Sequence, residues 1–163
     1  MPIDFRIGHG YDVHRLIPNR ALVLGGVTVP YEYGLLGHSD ADALLHAVMD
    51  AILGAIAEGD IGQHFPDSDP RYSGVASTTL LCEVIAVAEA RGYCVGNIDA
   101  TVVAQRPKLM PYIPQMREVI AKTVGIPVEC VSVKATTEEG LGFTGSLEGI
   151  AAHAVVLMKR KEG

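Results

Sequence analysis

The segment AAHAVVLM, residues 151–158, is apolar at nearly every position. A β-strand points successive side chains to opposite faces, so a strand this apolar demands burial on both. ATVVA, residues 100–104, makes the same demand. In a chain of 163 residues with three helical patterns, the helices can cover one face of the sheet. A second subunit is the simplest cover for the other face, and a fourth element not evident in the pattern is the alternative. A homo-oligomer is expected.

Composition narrows the class. The length suits one domain, residues 1–163, large enough for a substantial core. Hydrophobic residues make up 48% and charged ones 20%, the balance of a folded globular chain. A net charge of -6 argues against a nucleic-acid surface. It also means that an anionic ligand would need a metal ion or locally placed cations. Cys82, Cys94 and Cys130 are odd in number and lack C-x-x-C spacing, which reads as small buried thiols in a reducing compartment. No basic-then-apolar leader precedes Asp12, and no apolar run approaches a membrane span. The expected setting is cytoplasmic, with no membrane association.

Extended and helical patterns alternate along the chain. DFRIGHGYDVH (4–14) and ALVLGGVTVP (21–30) read as two strands joined through the PNR turn (18–20). HSDADALLHAVMDAILGAIAEG (38–59) reads as a helix with Ser39 as N-cap, Asp40 and Asp42 in the first turn, and Gly59 at its C-terminal end. Leu45, Val48, Ile52 and Ile56 form its buried stripe. A turn-rich loop (60–74) leads to a second helix from about Ser77 to Arg91, stopped by Gly92. Then come a strand (97–105), a proline-punctuated loop (106–115) and a third helix (116–125). Two last strands (129–137 and 150–160) flank a glycine-rich loop (138–149). The expected fold is a single α/β domain: a mixed β-sheet with three helices on one face and mostly crossover connections.

Chemistry enters with GYDVH, residues 10–14. Asp12 and His14 lie two apart on a strand, so their side chains share a face. On the first helix Asp42, His46 and Asp50 form one polar edge. Asp42 alone reads as part of a solvated face. His46 borders the apolar stripe beside Leu45 and so points toward the sheet. Asp12, His14 and His46 then make an N₂O ligand set with an open position, the pattern of a catalytic metal site. Asp50, one turn further on, could accept the other ring N–H of His46 or orient a water. The rival reading is an ordinary structural histidine.

Other groups suggest an anionic substrate. His38 and Ser39 stand just ahead of a helix N-terminus, where free N–H groups attract anions. Thr136 and Thr137 offer hydroxyls, and Glu138 and Glu139 offer hard oxygen ligands for Mg²⁺ beside a glycine-rich backbone. Arg106 and Lys108 sit in a proline-stiffened loop able to grip a pyrimidine. Each feature alone has an ordinary explanation: an N-cap, a strand end, a surface loop. Together they suggest a phosphorylated substrate without specifying a reaction.

Five blocks, GHGYDVHRL, LGGVTVPYEYGLLGHSDADALLHAVMDAILGA, GDIGQHFPDSDP, VVAQRPKLMPYIPQM and VKATTEEGLGFTGSLEGIA, resemble the 2-C-methyl-D-erythritol 2,4-cyclodiphosphate synthase family in order and in register. The resemblance implies a homotrimer whose sheets pack around the three-fold axis, with active sites between subunits. It implies a divalent ion, usually Zn²⁺, on Asp12, His14 and His46, and Mg²⁺ or Mn²⁺ at Glu139 bridging a cytidine diphosphate. His38 and Thr137 match the positions that steady the transition state. Ser39, Asp60, Ile61 and Gly62, with Phe65, Pro66, Asp67, Ser68 and Asp69, match contacts to methylerythritol and phosphate. Ala104, Gln105, Arg106, Pro107, Lys108, Leu109 and Met110, with Thr136, Thr137, Glu138 and Glu139, match the nucleotide pocket, and Phe143 also belongs to the implied substrate-binding set. Two other classes keep the same features: a metal phosphohydrolase that uses water as nucleophile, and a non-catalytic nucleotide- or isoprenoid-binding trimer. The chain departs from the family at Ser146 and Leu147, where many members carry an axis-facing arginine that can hold an anion. Axial anion binding is accordingly expected to be weak.

Overall fold

The computed structural model describes residues 4–162. β7 (Gly149–Arg160), which contains the doubly apolar segment, lies at the centre of a five-stranded sheet. β1 (Phe5–Pro18) and β5 (Tyr93–Val103) flank it, and β4 (Tyr33–Leu35) and β6 (Val131–Thr136) form the edges, in the order β4-β1-β7-β5-β6. The sheet is mixed, but crossovers do not dominate it. Only β5 and β6 pair in parallel, connected through α4 (Ile113–Val124), whereas β1–β4, β1–β7 and β5–β7 are antiparallel. The first and last long strands of the chain pair with each other at the centre, which leaves room for one parallel unit.

Alternation along the strands sorts the two faces. Ile150, Ala152, Ala154, Val156 and Met158 of β7 join Ile98, Ala100 and Val102 of β5 in the buried layer. The three long helices, α1 (Ala43–Ala55), α3 (Ser77–Ala90) and α4, stack over this one face. On the opposite face Ile7 is 76% exposed and Val155 47%, beside the exposed Tyr11 and Val13. Toward β6 the same face turns polar, where the Lys134 ammonium pairs with the Asp99 carboxylate at 2.7 Å. Among the described residues, no helix is long and apolar enough to cross a membrane.

β1 and α1 meet at backbone contact. A Cβ built on Gly10 would stand 1.8 Å from the Ala47 carbonyl oxygen, and one on Gly8 would stand 1.8 Å from that of Ala51. Alanines four apart on the helix and glycines two apart on the strand therefore remove the side-chain layer that usually separates helix from sheet. Side chains 8, 10, 12 and 14 of β1 share that face. The same short distance that excludes a methyl group brings Asp12 and His14 under the helix.

Several boundaries differ from the sequence expectation. ALVLGGVTVP is a hairpin, β2 (Leu22–Leu24) and β3 (Val27–Val29), and not one strand. Gly25 and Gly26, at φ +60° and +71°, form a turn with left-handed backbone at both central positions, the geometry that suits a tight hairpin. α1 starts at Ala43 with Asp42 as its N-cap, because Ala41 at φ 57° breaks the helical path after Ser39. Its C-cap is Ile56, with Ala57 left-handed at φ 57°, so Gly59 lies beyond the helix end. Asp42 is fully buried and not solvated. Its carboxylate accepts from the backbone N–H groups of Gly25 (2.9 Å), Gly26 (2.7 Å) and Leu45 (3.0 Å), tying the hairpin to the helix. Burial pushes this carboxyl up to about 6, against those three donors, which favour its charged form. The cysteines are free but not buried: Cys82 is exposed on α3, and Cys94 and Cys130 are half-buried.

Gly10→Ala is expected to destabilise the protein by about 3 kcal/mol, the upper end of ordinary overpacking, since the obstacle is helix backbone and not a movable side chain. Urea unfolding of metal-free protein measures this. A loss below about 1 kcal/mol would show that α1 slides away freely.

Candidate metal centre and substrate clefts

Three ligand atoms converge where α1 crosses β1. Asp12 Oδ2 lies 2.8 Å from His14 Nε2 and 3.0 Å from His46 Nδ1, and the two ring nitrogens are 3.2 Å apart. These residues are the one group of three or more His, Cys, Asp and Glu able to hold a metal ion among the described residues. The Asp12/His14/His46 set expected from spacing is thus assembled.

The surrounding hydrogen bonds assign the protons. His14 Nδ1 donates to the Leu36 carbonyl at 2.8 Å, which leaves its Nε2 lone pair facing the centre. Ser77 Oγ donates its own proton to Asp40 and therefore accepts from His46 Nε2 at 3.0 Å. Ser39 Oγ, 3.2 Å from the same nitrogen, also receives the Ala41 N–H. His46 then faces the centre with its Nδ1 lone pair. Two lone pairs and a carboxylate oxygen within 3.2 Å repel one another unless positive charge sits between them. Burial disfavours the His14 cation, but Asp12 outweighs it and raises the pKa above that of an ordinary imidazole. Burial would likewise raise the Asp12 carboxyl, yet the hydrogen bonds and charges of His14 and His46 hold it below the usual carboxylate range. The donor set, one carboxylate and two imidazoles with outer-shell partners, fits a divalent transition ion with an open coordination position.

Asp50 does not serve His46. Its carboxylate accepts the Ile61 N–H at 2.8 Å and so anchors α2 (Ile61–His64) at the rim of the centre. Burial, helped by Asp60 and Asp12, raises its pKa above the usual range. Ser77, 31 residues from His46, took the role assigned to Asp50, and nothing in the local sequence signalled it.

The centre opens into a cavity of about 530 Å³. Of the sequence-expected residues, Asp12, His14, His38, Ser39, His46, Ile61, Gly62, Phe65, Pro66 and Asp67 line it. Leu36, Gly37, Tyr72 and Leu80 line it as well and were not anticipated. Arg20 holds this wall by donating to the carbonyls of Gly37 (3.2 Å) and Ser39 (2.6 Å), on either side of His38. His38 Nε2 donates to the Asp69 carbonyl at 3.3 Å. Asp60, Ser68 and Asp69 are not among the lining residues. Asp60 caps α2 through the Gln63 N–H, and Asp69 pairs with Arg71, whose hydrogen bonds hold its pKa down.

A second cavity, about 510 Å³, is lined by every residue from Ala104 to Met110, with Thr136 and Thr137 as expected and with Tyr31 and Ala135 in addition. The Arg106–Pro107 peptide is cis. Glu138, Glu139 and Phe143 stand outside this lining. The Glu138 carboxylate accepts from Thr144 Oγ1, Glu139 donates its N–H to Thr137 Oγ1, and Phe143 lines a smaller hollow with His14 and Glu148. Ser146 Oγ faces Glu148 at 3.2 Å.

Strand register relates the two cavities. Val13 of β1 is level with Ala151, which is level with Val103, which is level with Thr136. Three interstrand steps of roughly 4.8 Å put them about 14 Å apart at one end of the sheet. Within one chain, the metal centre and the second pocket are separate.

Fold and site define an α/β protein with a metal-ready cleft and a second pocket that carries Arg106 and Lys108. The chain belongs to the YgbB family, which it matches over residues 5–159. It is 65% identical over 156 residues to the 2-C-methyl-D-erythritol 2,4-cyclodiphosphate synthase of Geotalea uraniireducens, covering 96% of this chain and 99% of that one. The synthase of Pelobacter propionicus is also 65% identical, over 153 residues, 94% of this chain and 97% of the relative. Among solved structures, the bifunctional IspDF of Campylobacter jejuni superimposes with a TM-score of 0.95 at 40% identity, covering 99% of this chain and 44% of that longer one. The IspF–CDP complex of Plasmodium falciparum superimposes with a TM-score of 0.87 at 32% identity, over 99% of this chain and 100% of that one.

His46→Ala is expected to lose the zinc of the cleft at concentrations that saturate that site in the parent protein. Ser39→Ala/Ser77→Ala, which keeps all three ligands but frees the His46 ring, is expected to bind zinc roughly 10- to 100-fold more weakly. Competitive titration against a chelator measures both. Unchanged affinity in the double serine variant would remove the hydroxyls from the account of the site.

Proposed function

We propose that this chain is a 2-C-methyl-D-erythritol 2,4-cyclodiphosphate synthase, a phosphorus–oxygen lyase of the cytoplasm in the non-mevalonate isoprenoid pathway. It converts 4-diphosphocytidyl-2-C-methyl-D-erythritol 2-phosphate to the 2,4-cyclodiphosphate and CMP. The observation that carries this reading is the placement, at one end of one sheet, of a cation-demanding centre in a cleft and a separate pocket with Arg106 and Lys108. The substrate has the corresponding two ends: a phosphorylated polyol and a cytidine diphosphate.

In the reaction an oxygen of the 2-phosphate attacks the β-phosphorus. A P–O bond forms there, the bond to the α-phosphate bridging oxygen breaks, and CMP leaves with the electron pair. No other reactant is needed. When bound, an ion on Asp12, His14 and His46 supplies Lewis acidity at the phosphates, and a Mg²⁺ or Mn²⁺ at Glu139 neutralises the diphosphate. Glu139 is the candidate for the second ion by its match to the family position, and the neighbouring Glu138 carboxylate accepts from Thr144. His38 steadies phosphoryl oxygens from the wall that Arg20 holds, and Thr137 does so from the nucleotide side. Backbone and hydroxyl groups from Ala104 to Met110 and at Thr136 orient the cytidine, while the Ser39 wall and the Ile61–Asp67 rim hold the methylerythritol end. Nucleophile and electrophile belong to one flexible molecule, so holding both ends supplies much of the rate.

The two pockets work together as an interface between copies. The separation of about 14 Å within a chain supports this, as does the exposed apolar half-face of Ile7, Tyr11, Val13 and Val155. A homotrimer around that face buries it and brings the metal half of one subunit to the nucleotide half of the next.

Phosphorus NMR of the reaction is expected to show cyclic diphosphate and CMP in equal amounts. A linear diphosphate product would replace this reading with that of a metal phosphohydrolase. Asp12→Ala and Thr137→Ala homotrimers are each expected to be nearly inactive. Co-refolding them in equal amounts should restore roughly a quarter of parental activity, the chance that an intact metal half meets an intact nucleotide half around a cyclic ring. No recovery in verified mixed trimers would mean that each site is built within one chain.

A further inference from the structure

Away from the cleft, on the open face of the sheet, a second pair of imidazoles meets. His9 on β1 and His153 on β7 are both exposed, and His9 Nε2 lies 3.2 Å from His153 Nδ1. Register explains the meeting: Tyr11 opposes His153 and Val155 opposes His9, so the two histidines are diagonal neighbours on one face of an antiparallel pair. Tyr11 packs against the His153 ring with centroids 4.8 Å apart, which restrains that ring.

The pair reproduces the two-imidazole half of the metal centre. There the facing nitrogens are also 3.2 Å apart, with ring centroids 5.3 Å apart against 5.5 Å for His9 and His153. An ion with metal–nitrogen bonds of 2.0–2.1 Å would span a 3.2 Å gap with an N–M–N angle of about 100°, close to tetrahedral. The alternative occupant of the gap is a proton shared by two neutral rings. Lys134, the cation two strands away on this face, is held by Asp99.

We propose that His9 and His153 form a second metal site, a bis-imidazole chelate for a divalent transition ion such as Zn²⁺, Ni²⁺ or Cu²⁺, with its remaining positions open to water or an anion. Imidazole nitrogens suit these ions, and two ligands bind more weakly than the three of the cleft. The site is independent of the synthase reading. It lies on the face toward which the proposed trimer packs, so an ion there would sit among the subunits.

The test counts zinc per chain by mass spectrometry after equilibrium dialysis of the intact assembly, refolded in the presence of zinc so that a covered face is also loaded. The parent protein is expected to hold two ions, and His9→Gln and His153→Gln one each. His46→Ala is expected to retain one, and His46→Ala/His153→Gln none. The two glutamine variants lie on different strands at exposed positions, and circular dichroism verifies their folding, so a joint loss reports the pair. Cobalt substituted into His46→Ala should show visible bands that disappear in His46→Ala/His153→Gln. One ion per chain in the parent protein, or two retained in both glutamine variants, would overturn the proposal and leave a shared proton between the rings.

Discussion

Everything this protein does depends on a helix lying against a strand with no side chains between them. Gly8 and Gly10 present bare backbone to the carbonyls of Ala51 and Ala47, and no Cβ fits in either position. A conventional helix-on-sheet layer would hold α1 several ångströms higher. His46, adjacent to Ala47, would then lose its reach to Asp12, two residues beyond Gly10. The metal centre is thus a consequence of packing. Its ligands come from the two elements whose approach the glycines set: His46 one residue before Ala47 on the helix, and Asp12 and His14 two and four residues beyond Gly10 on the strand.

Close approach also buries polar groups, and the chain answers with a continuous set of partners. No buried side-chain nitrogen or oxygen among the described residues lacks a hydrogen bond. Asp40 receives the Ser77 hydroxyl and backbone N–H, Ser77 receives the His46 ring, and Asp42 receives the hairpin turn and the first turn of α1. One loop, residues 38–42, therefore starts a helix, anchors a second helix and orients a ligand. A change within it alters stability and metal affinity together, because the same hydrogen bonds serve both.

Legibility in the sequence followed the range of the interaction. The long helices and central strands rest on local period and are present with shifted ends, α1 as Ala43–Ala55 and α4 as Ile113–Val124. The Asp12/His14/His46 set joins a two-residue spacing on β1 to a helix-face position more than thirty residues away. The Gly25–Gly26 hairpin is legible in principle from two glycines between apolar runs, although the apolar pattern alone reads as one strand. Ser77 and Asp42 were not legible. Asp42 sits at a helix edge that looks solvated until the hairpin folds over it, and Ser77 is placed by the whole loop between α1 and α3. Strand order was equally hidden, since a doubly apolar strand is compatible with parallel or antiparallel neighbours. The substrate pockets were read through resemblance, and the cavities contain most of those residues. Asp60, Ser68 and Asp69 stand apart from them because the first and last cap turns of the loop they belong to.

Charge explains why the molecule needs both of its clefts. The chain carries a net charge of -6, and among the described residues lining the metal cleft there is no lysine or arginine. Asp12 and Asp67 make that cleft hostile to phosphate until a cation enters. The second pocket has its own cations in Arg106 and Lys108, on a loop stiffened by Pro107. A multiply phosphorylated substrate therefore meets fixed positive charge at one end and imported positive charge at the other. Mobile lysines in the metal cleft would attract the substrate without holding it in register. An ion fixed by three ligands on two rigid elements does both, and it leaves the acidic surface intact to repel anions that fit neither pocket.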